Sequence, residues 1–312
     1  MISPQLAKPI KNLLHPTMWG FVMEPKLDGY RILLHKKGEK VTAYNRDGRD
    51  KTAHLTHITN PLKDLPDDCI IDGEVVYITS FKRWRDKTLP LTDFARTASV
   101  MQSNPAKAIA DQDANGSLTF VAFDCLAAKD LNLMPHPDNF RRNALSLIHA
   151  HLDIYRKAEH FAMIPRWSKW DESMYAELIG MGVEGMMLKD PSAIYRPGSR
   201  SDAWLKFKNT DTTDVVVMGF NDGEGGFKQQ GLIGSIEFGQ FKSGVLYKRG
   251  QCSGMSLTTR KDISLNPDAY IGKVMEVKYF GQSGKDRNGI RHPQFVGFRD
   301  DKRPQECVWE SV

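Results

Sequence analysis

Apolar and polar residues alternate in short runs through the first part of the chain, the pattern of strands buried on one or both faces. Residues 19–23, 30–35 and 41–45 read as strands, the last closed by the turn Arg46-Asp47-Gly48-Arg49. Leu55, Ile58, Leu62 and Leu65 recur at helical spacing, with Pro61 at a helix start or break. A strand follows over residues 69–78, then a helix from Thr92 through Met101 capped by Thr or Asp. The polar, Ala-rich residues 103–117 read as a connection to the next strand, 118–126. Behind Pro137-Asp138, the residues Phe140, Ala144, Leu147, Ile148 and Leu152 form one apolar helical stripe. Residues 161–165 read as a strand, and Asp171 caps a helix with Met174, Leu178 and Ile179 on one face. Strands over 183–189 and 204–208 flank a loop rich in Pro, Gly, Ser and Arg.

The texture changes in the polar run 209–213. Beyond it helical periodicity nearly disappears: residues 215–220, 233–241, 245–248 and 274–280 read as strands between Gly-rich turns, with a short helix near 258–264. About a hundred residues with roughly five strands suggest a small β-barrel of the OB type. The expectation is an α+β chain of two domains, residues 1–210 and 211–312, with a hinge between Thr210 and Asp214.

Composition alters this picture little. The 312 residues are 40% apolar and 26% charged, without an apolar run long enough to span a membrane and without a signal-peptide pattern, so cytoplasmic residence is expected. Cys69, Cys125, Cys252 and Cys307 are scattered in or beside apolar segments, which suits core packing rather than a zinc module or a disulfide framework. The nine histidines lack metal-ligand spacing. A net charge of +5 permits a polyanionic partner without requiring one.

Candidate chemistry centres on Glu24-Pro25-Lys26-Leu27-Asp28-Gly29-Tyr30-Arg31. A lysine leaving a buried strand at an Asp-Gly turn is held rigidly and partly desolvated, and neighbouring cations would lower its pKa toward that of a nucleophile. The plain alternative is a hairpin, for which Asp-Gly is a strong signal. Lys-x-Asp-Gly also arises by chance in roughly one chain in fifteen of this length, so alone it carries little. Its company carries more: Arg31 and Arg46, then Asp72-Gly73-Glu74, Phe123-Asp124, Glu184-Gly185, and Lys206 with Lys208, whose i, i+2 spacing directs both lysines to one strand face. Taken singly, Glu74 reads as a strand-edge carboxylate, Phe123 as core, Arg141-Arg142 as a solvated helix face, and Lys228 and Lys248 as solubilising charges.

The ordered series resembles the covalent nucleotidyltransferases, and within them the ATP-dependent DNA ligases. Lys26-Leu27-Asp28-Gly29, Asp72-Gly73-Glu74, Phe123, Glu184-Gly185-Met186-Met187-Leu188-Lys189, Trp204-Leu205-Lys206-Phe207-Lys208 and Arg299-Asp300-Asp301-Lys302 look like six motifs of that family in its order. Residues 184–208 and 291–306 look closest to small phage DNA ligases, and the resemblance spans nearly the whole chain. It implies a nucleotidyltransferase domain, ATP-grasp-like with antiparallel sheets and helices, followed by an OB-fold domain that carries the last motif. It also implies ATP and Mg²⁺ as cofactors, and nicked double-stranded DNA as partner of a monomer acting in replication, repair or recombination, in the host cytoplasm if phage-encoded.

The same resemblance assigns Lys26 as the nucleophile and Lys206 and Lys208 to the α-phosphate. Arg299 and Arg291 go to the β- and γ-phosphates, Glu74 and Glu184 to metal or ribose, Phe123 to the base, Arg31 to the ribose side, Arg46 to phosphate, and the Glu24 backbone to adenine. Basic candidates for the DNA backbone are Arg141, Arg142, Arg200, Lys228, Lys248 and Arg249. Gln294 and Gly297 stand where larger ligases often carry basic residues. The nucleophile's arrival by residue 26 leaves no expected N-terminal DNA-encircling domain, and the lack of a four-cysteine module argues against the NAD-dependent branch. The rivals are an RNA ligase, an RNA-capping guanylyltransferase, and a non-catalytic nick-binding protein on the same scaffold. The last would be expected to have lost Lys26, Glu184 or Lys206, and all three are present.

Overall fold

The computed structural model describes residues 2–10, 20–155, 159–208, 211–279, 282–283 and 289–309. The chain divides into two units, residues 1–208 and 209–312. In the first unit the strands begin with β1 (Leu6–Pro9), β2 (Val22–Lys26), β3 (Tyr30–Lys37), β4 (Lys40–Asn45), β5 (Cys69–Trp84) and β6 (Lys87–Asp93). They continue with β7 (Thr119–Ala128), β8 (Leu131–Asn132), β9 (Phe161–Met163), β10 (Gly185–Lys189) and β11 (Arg200–Lys208). Its helices are α1 (Thr56–Leu62), α2 (Phe94–Gln102), α3 (Pro105–Asn115), α4 (Asp138–Ile154) and α5 (Glu172–Gly180).

Two sheets result. One runs β4-β3-β5-β7-β8, with β6 paired to β5 and β9 parallel to β7; the other runs β1-β11-β10-β2, with only β1 parallel to its neighbour. Period-2 alternation buries both faces of the larger sheet. Ile32, Leu34, Ile71 and Phe120 point into a core shared with α1, α3 and α4, while Leu33 and Leu126 pack with Tyr195 and Trp204 of the smaller sheet's side. The far face of the smaller sheet, Met23, Met186, Leu188 and Leu205, is covered by Met174 and Leu178 of α5 and by Trp84 and Trp167.

Several sequence expectations change here. The Asp28-Gly29 turn is not a hairpin, because β2 and β3 belong to different sheets and the Lys26–Tyr30 passage crosses between them. Gly29 is needed for close approach: a Cβ there would collide with the Val75 carbonyl and the side chains of Val76 and Glu74. Residues 103–117 contain a helix, α3, whose Asn104 side chain accepts from Lys107 N at 2.9 Å with Pro105 at the first helical position. The apolar stripe of α4 is rotated: Leu145 and Leu152 are buried, whereas Phe140 and Leu147 are 46% and 75% exposed. Arg141 takes the buried place because it pairs with Asp124 of β7 through Nε and Nη2, each at 2.8 Å. The strand expected over 69–78 continues to Trp84.

The second unit holds β12 (Asp211–Asp222), α6 (Gly226–Gln229), β13 (Ile233–Lys242), β14 (Val245–Cys252), α7 (Leu257–Leu265) and β15 (Val274–Tyr279). The short pair β16 (Gln282–Ser283) and β17 (Gly289–Ile290) and then β18 (Gln294–Phe298) complete it. A five-stranded antiparallel sheet, β14-β13-β12-β15-β18, encloses Val215, Val217, Ile236, Phe238, Ile263, Met275 and Val277. Residues 211–214, expected to act as a hinge, instead pair with β15, Asp211 opposite Tyr279 and Asp214 opposite Glu276. Asn209, Thr210 and Phe280 lie outside the described residues, as does Trp19 from the first expected strand. The four cysteines are buried, Cys69 and Cys125 in the first unit and Cys252 and Cys307 in the second.

Candidate active site

Strand register builds one wall of a cleft. Lys26 of β2 lies opposite Gly185 of β10, which lies opposite Lys208 of β11; one step along, Glu24, Met187 and Lys206 form the next row. Alternation puts both rows, with Lys189 and Trp204, on the face opposite the Met23–Leu205 core. A Cβ at Gly185 would collide with the Phe207 carbonyl, so glycine allows β10 and β11 to close at this point. Glu184, just before β10, bridges the two lysines: Oε2 accepts from Lys26 Nζ and Oε1 from Lys208 Nζ.

The facing wall comes from the larger sheet, where Arg31 of β3 lies opposite Glu74 of β5. Between the walls is a cleft of about 400 Å³ lined by Glu24, Lys26, Arg31, Arg46, Glu74, Phe123, Lys189, Arg200, Trp204 and Lys206, among others. Both charge and aromatic surface line it.

Burial would raise the Glu184 carboxyl, but Lys26 and Lys208 outweigh it and hold the group below the ordinary carboxylate range. Glu74 goes the other way: burial pushes it up to about 8 despite the pull of Lys26 and Arg31. Lys206 is lowered by burial and by Lys208, Lys26 and Arg200. At Glu24, burial is overcome by Lys189, Arg166 and Arg142, and the carboxyl falls to about 2. Its oxygens receive Lys189 Nζ at 2.7 Å and Arg166 Nη2 at 2.6 Å, and Arg166 continues to Asp138 at 2.5 Å.

Arg31 is caged. Its Nε and Nη2 donate to Asp72 at 2.9 and 2.6 Å, and its Nη1 donates to the Gln5 carbonyl at 2.5 Å. The guanidinium carbon lies 5.4 Å from the Phe123 ring centre and 5.6 Å from that of Trp204. Tyr195 Oη donates to Asp72 at 2.8 Å and accepts from Gln5 N at 2.9 Å. Lys189 Nζ approaches the same two rings, at 4.5 and 4.3 Å. Thus the aromatic corner of Phe123 and Trp204 is fixed by cations and by hydrogen bonds from Gln5 just before β1, from β3 and β5, and from the loop before β11.

Sequence reasoning missed Gln5, Tyr195, Lys189 and Trp204 as site residues. For the latter two a signal existed, since both fall within motif stretches and share the strand face of Lys206; for Gln5 and Tyr195 none did. Arg31, expected on the ribose side, has its donors engaged by Asp72, Gln5 and Tyr195. Among the DNA-backbone candidates, Arg200 lines the cleft, where it acts on Lys206. Arg141 is fully buried against Asp124, and Arg142 turns inward to donate to the Ile164 carbonyl at 2.5 Å, so neither forms a DNA-facing surface. Arg249 is likewise buried, with its guanidinium 4.1 Å from the Trp309 ring centre. Lys228 is exposed on α6, and Lys248 pairs with Glu237 at 2.7 Å. Arg291 and Arg299 belong to the second unit, where Arg299 donates to Asp301 through Nε and Nη2, both at 2.8 Å, and to Asp214 at 3.4 Å.

Two sheets with helices outside and a lysine-lined cleft between them define a mixed α/β fold of the nucleotidyltransferase kind. Residues 4–208 match the family model for the ATP dependent DNA ligase domain, and the chain belongs to that family. It is 29% identical over 309 residues to a DNA ligase of Haloarcula marismortui, covering 91% of this chain and 52% of the relative. It is 27% identical over 357 residues to DNA ligase C1 of Mycolicibacterium smegmatis, covering 100% of this chain and 93% of that one. The chain spans about half the length of several curated relatives it matches. In fold it is similar to a Lig E DNA ligase described as binding DNA with a minimal scaffold, at a TM-score of 0.67 and 21% identity, over 96% of this chain and 100% of the other.

Proposed function

We propose that this chain seals nicks in duplex DNA, joining a 5′-phosphate to a 3′-hydroxyl with ATP through a lysyl-AMP intermediate. The observation that carries the reading is the row Lys26–Gly185–Lys208, with Glu184 joining its two lysines at a cleft the size of a nucleotide. Lys26 Nζ attacks the α-phosphorus, an N–P bond forms, and the bond to pyrophosphate breaks in line with it. Glu184, already hydrogen-bonded to Lys26, holds the amine on the line of attack, and the amine's proton leaves to solvent. Lys206 and Lys208 neutralise the α-phosphate, Arg46 and Arg200 meet phosphate from the larger-sheet side and the β11 side, and Phe123 with Trp204 holds the base.

Glu74 and Glu184 suit Mg²⁺: both offer carboxylate oxygens, and the half-buried Glu74 lacks the full cationic compensation that a divalent ion would supply. Bound there, the ion would offset charge building on the phosphates. In this reading the second unit is an OB-fold domain, supported by its five antiparallel strands, and its Arg299 and Arg291 steady the leaving pyrophosphate. AMP then passes to the 5′-phosphate of the nick, and the 3′-hydroxyl displaces it. The chain acts as a monomer in the cytoplasm.

Incubation with α-labelled ATP and Mg²⁺ should give acid-stable labelled protein whose label is chased by nicked duplex. Lys26→Ala should abolish labelling and leave nick binding within a few-fold. Failure to label with ATP, GTP or NAD would overturn the reading, and labelling by GTP alone would point to RNA capping.

A further inference from the structure

The long strand β5 does more than carry Glu74. Past Ile78 it leaves the larger sheet and pairs only with β6, forming a ribbon whose residues 79–83 are all exposed. The sequence there, Phe81-Lys82-Arg83-Trp84-Arg85-Asp86-Lys87, places four cations against one carboxylate.

The ribbon is anchored at its tip rather than left loose. Trp84 is buried edge-on against Trp167, with ring centres 4.8 Å apart, and donates its indole N–H to Glu177 at 2.7 Å. Arg85 turns the chain in the left-handed region, φ 51°, and donates to the same glutamate at 2.8 Å. Asp86 accepts from Trp167 Nε1 at 2.8 Å and Lys87 Nζ at 3.1 Å. Both nearby carboxylates are therefore engaged in fixing the turn to the body. Among the described residues, Lys82 and Arg83 form no ion pair, and Phe81 between the strands' cations is 64% exposed. A rigid, two-sided ribbon that keeps two cations and an aromatic ring in water has a surface suited to a polyanion with apolar sugar edges.

Distance fits that partner to the cleft. Arg83 adjoins Trp84, which packs in one core with Met23, and Met23 is three residues from Lys26, so the ribbon's cations stand within about 30 Å of the site. One turn of duplex measures roughly 34 Å, which brings this ribbon within the first turn beside a nick held at Lys26. We propose that the β5–β6 ribbon is a grip for one arm of nicked duplex DNA, with Phe81 and Arg83 on one face and Lys82 on the other, both cations on backbone phosphates and Phe81 against the sugars. This rests on the nick-sealing reading above and adds a surface to it.

The double variant Lys82→Ala/Arg83→Ala tests it, since both side chains are exposed and neither lines the cleft. Its self-labelling rate with ATP should match the wild type, while its Kd for nicked duplex rises. The slope of log K against log salt should shallow by about 1.8, the share of two phosphate contacts. A control with Lys63→Ala/Lys107→Ala removes equal charge from exposed sites elsewhere and should leave the slope unchanged. Unaltered affinity and slope in the ribbon variant, or an equal effect in the control, would overturn the proposal. A wild-type protein that fails to self-label would instead count against nick sealing itself.

Discussion

Arg31 and Asp72 form a two-pronged ion pair in the cleft wall, and Tyr195 donates to the same carboxylate at 2.8 Å. The orientation of the arginine thus depends on a hydroxyl far along the chain. Tyr195→Phe removes that hydroxyl and leaves Gln5 N and Asp72 each short of a partner, a loss of about 1–3 kcal/mol for buried groups. Because the cage fixes Phe123 and Trp204, the KM for ATP in self-labelling should rise about tenfold with kcat within twofold. Initial rates at graded ATP would show this, and a fall in kcat at constant KM would contradict it.

Glu24 gives the pH behaviour of the same region a definite sign. Its folded carboxyl titrates at about 2, below the ordinary value of 4.5. The stability it contributes is present above 4.5 and is lost as pH falls through about 2. Two and a half units correspond to about 3 kcal/mol. Urea unfolding of wild type and Glu24→Gln should differ most at pH 7 and converge only as pH falls to about 2; a constant gap would show that Lys189 and Arg166 do not govern this carboxylate.

The rotated face of α4 can be checked by a pair of substitutions. Arg141→Ala leaves Asp124 buried and unpaired and should cost about 3–5 kcal/mol in denaturant unfolding. Leu147→Lys, on the exposed side, should change stability by less than about 0.5 kcal/mol. The reverse order would restore the face expected from hydrophobic periodicity.

Gly29→Ala probes the crossing between sheets. The new methyl meets the Val75 carbonyl and the Val76 and Glu74 side chains, and overpacking of this kind costs about 1–3 kcal/mol. Lys26 precedes the crossing by three residues, so self-labelling should fall further than melting temperature alone would suggest. Full labelling at a lowered melting temperature would separate the glycine from the chemistry.

Strand alternation made most of the fold legible, and the i, i+2 spacing of Lys206 and Lys208 correctly placed them on one face. What alternation could not reveal was partnership across the chain. Arg141 looked like a solvated residue because its compensating Asp124 is on another element; the expected stripe therefore holds at Ala144, Ile148 and Leu152 but wrongly included the exposed Phe140 and Leu147. Asp28-Gly29 gave a true signal for a change of direction but not for the sheet the chain enters next. The helix α3 was announced by Asn104-Pro105 and obscured by its polar composition. Gln5 and Tyr195 reach the site through hydrogen bonds to residues far from them along the chain, Gln5 to Arg31 and Tyr195 to Asp72, which no local pattern encodes.

The four buried cysteines give the molecule a way to report its own opening. Burial pushes all four thiols above the ordinary range, so none is reactive while its surroundings stay closed. Two belong to each unit. Pulses of a thiol reagent read by peptide mass would therefore time the opening of each unit separately, in the unaltered chain, and would rank their opening free energies with and without ATP.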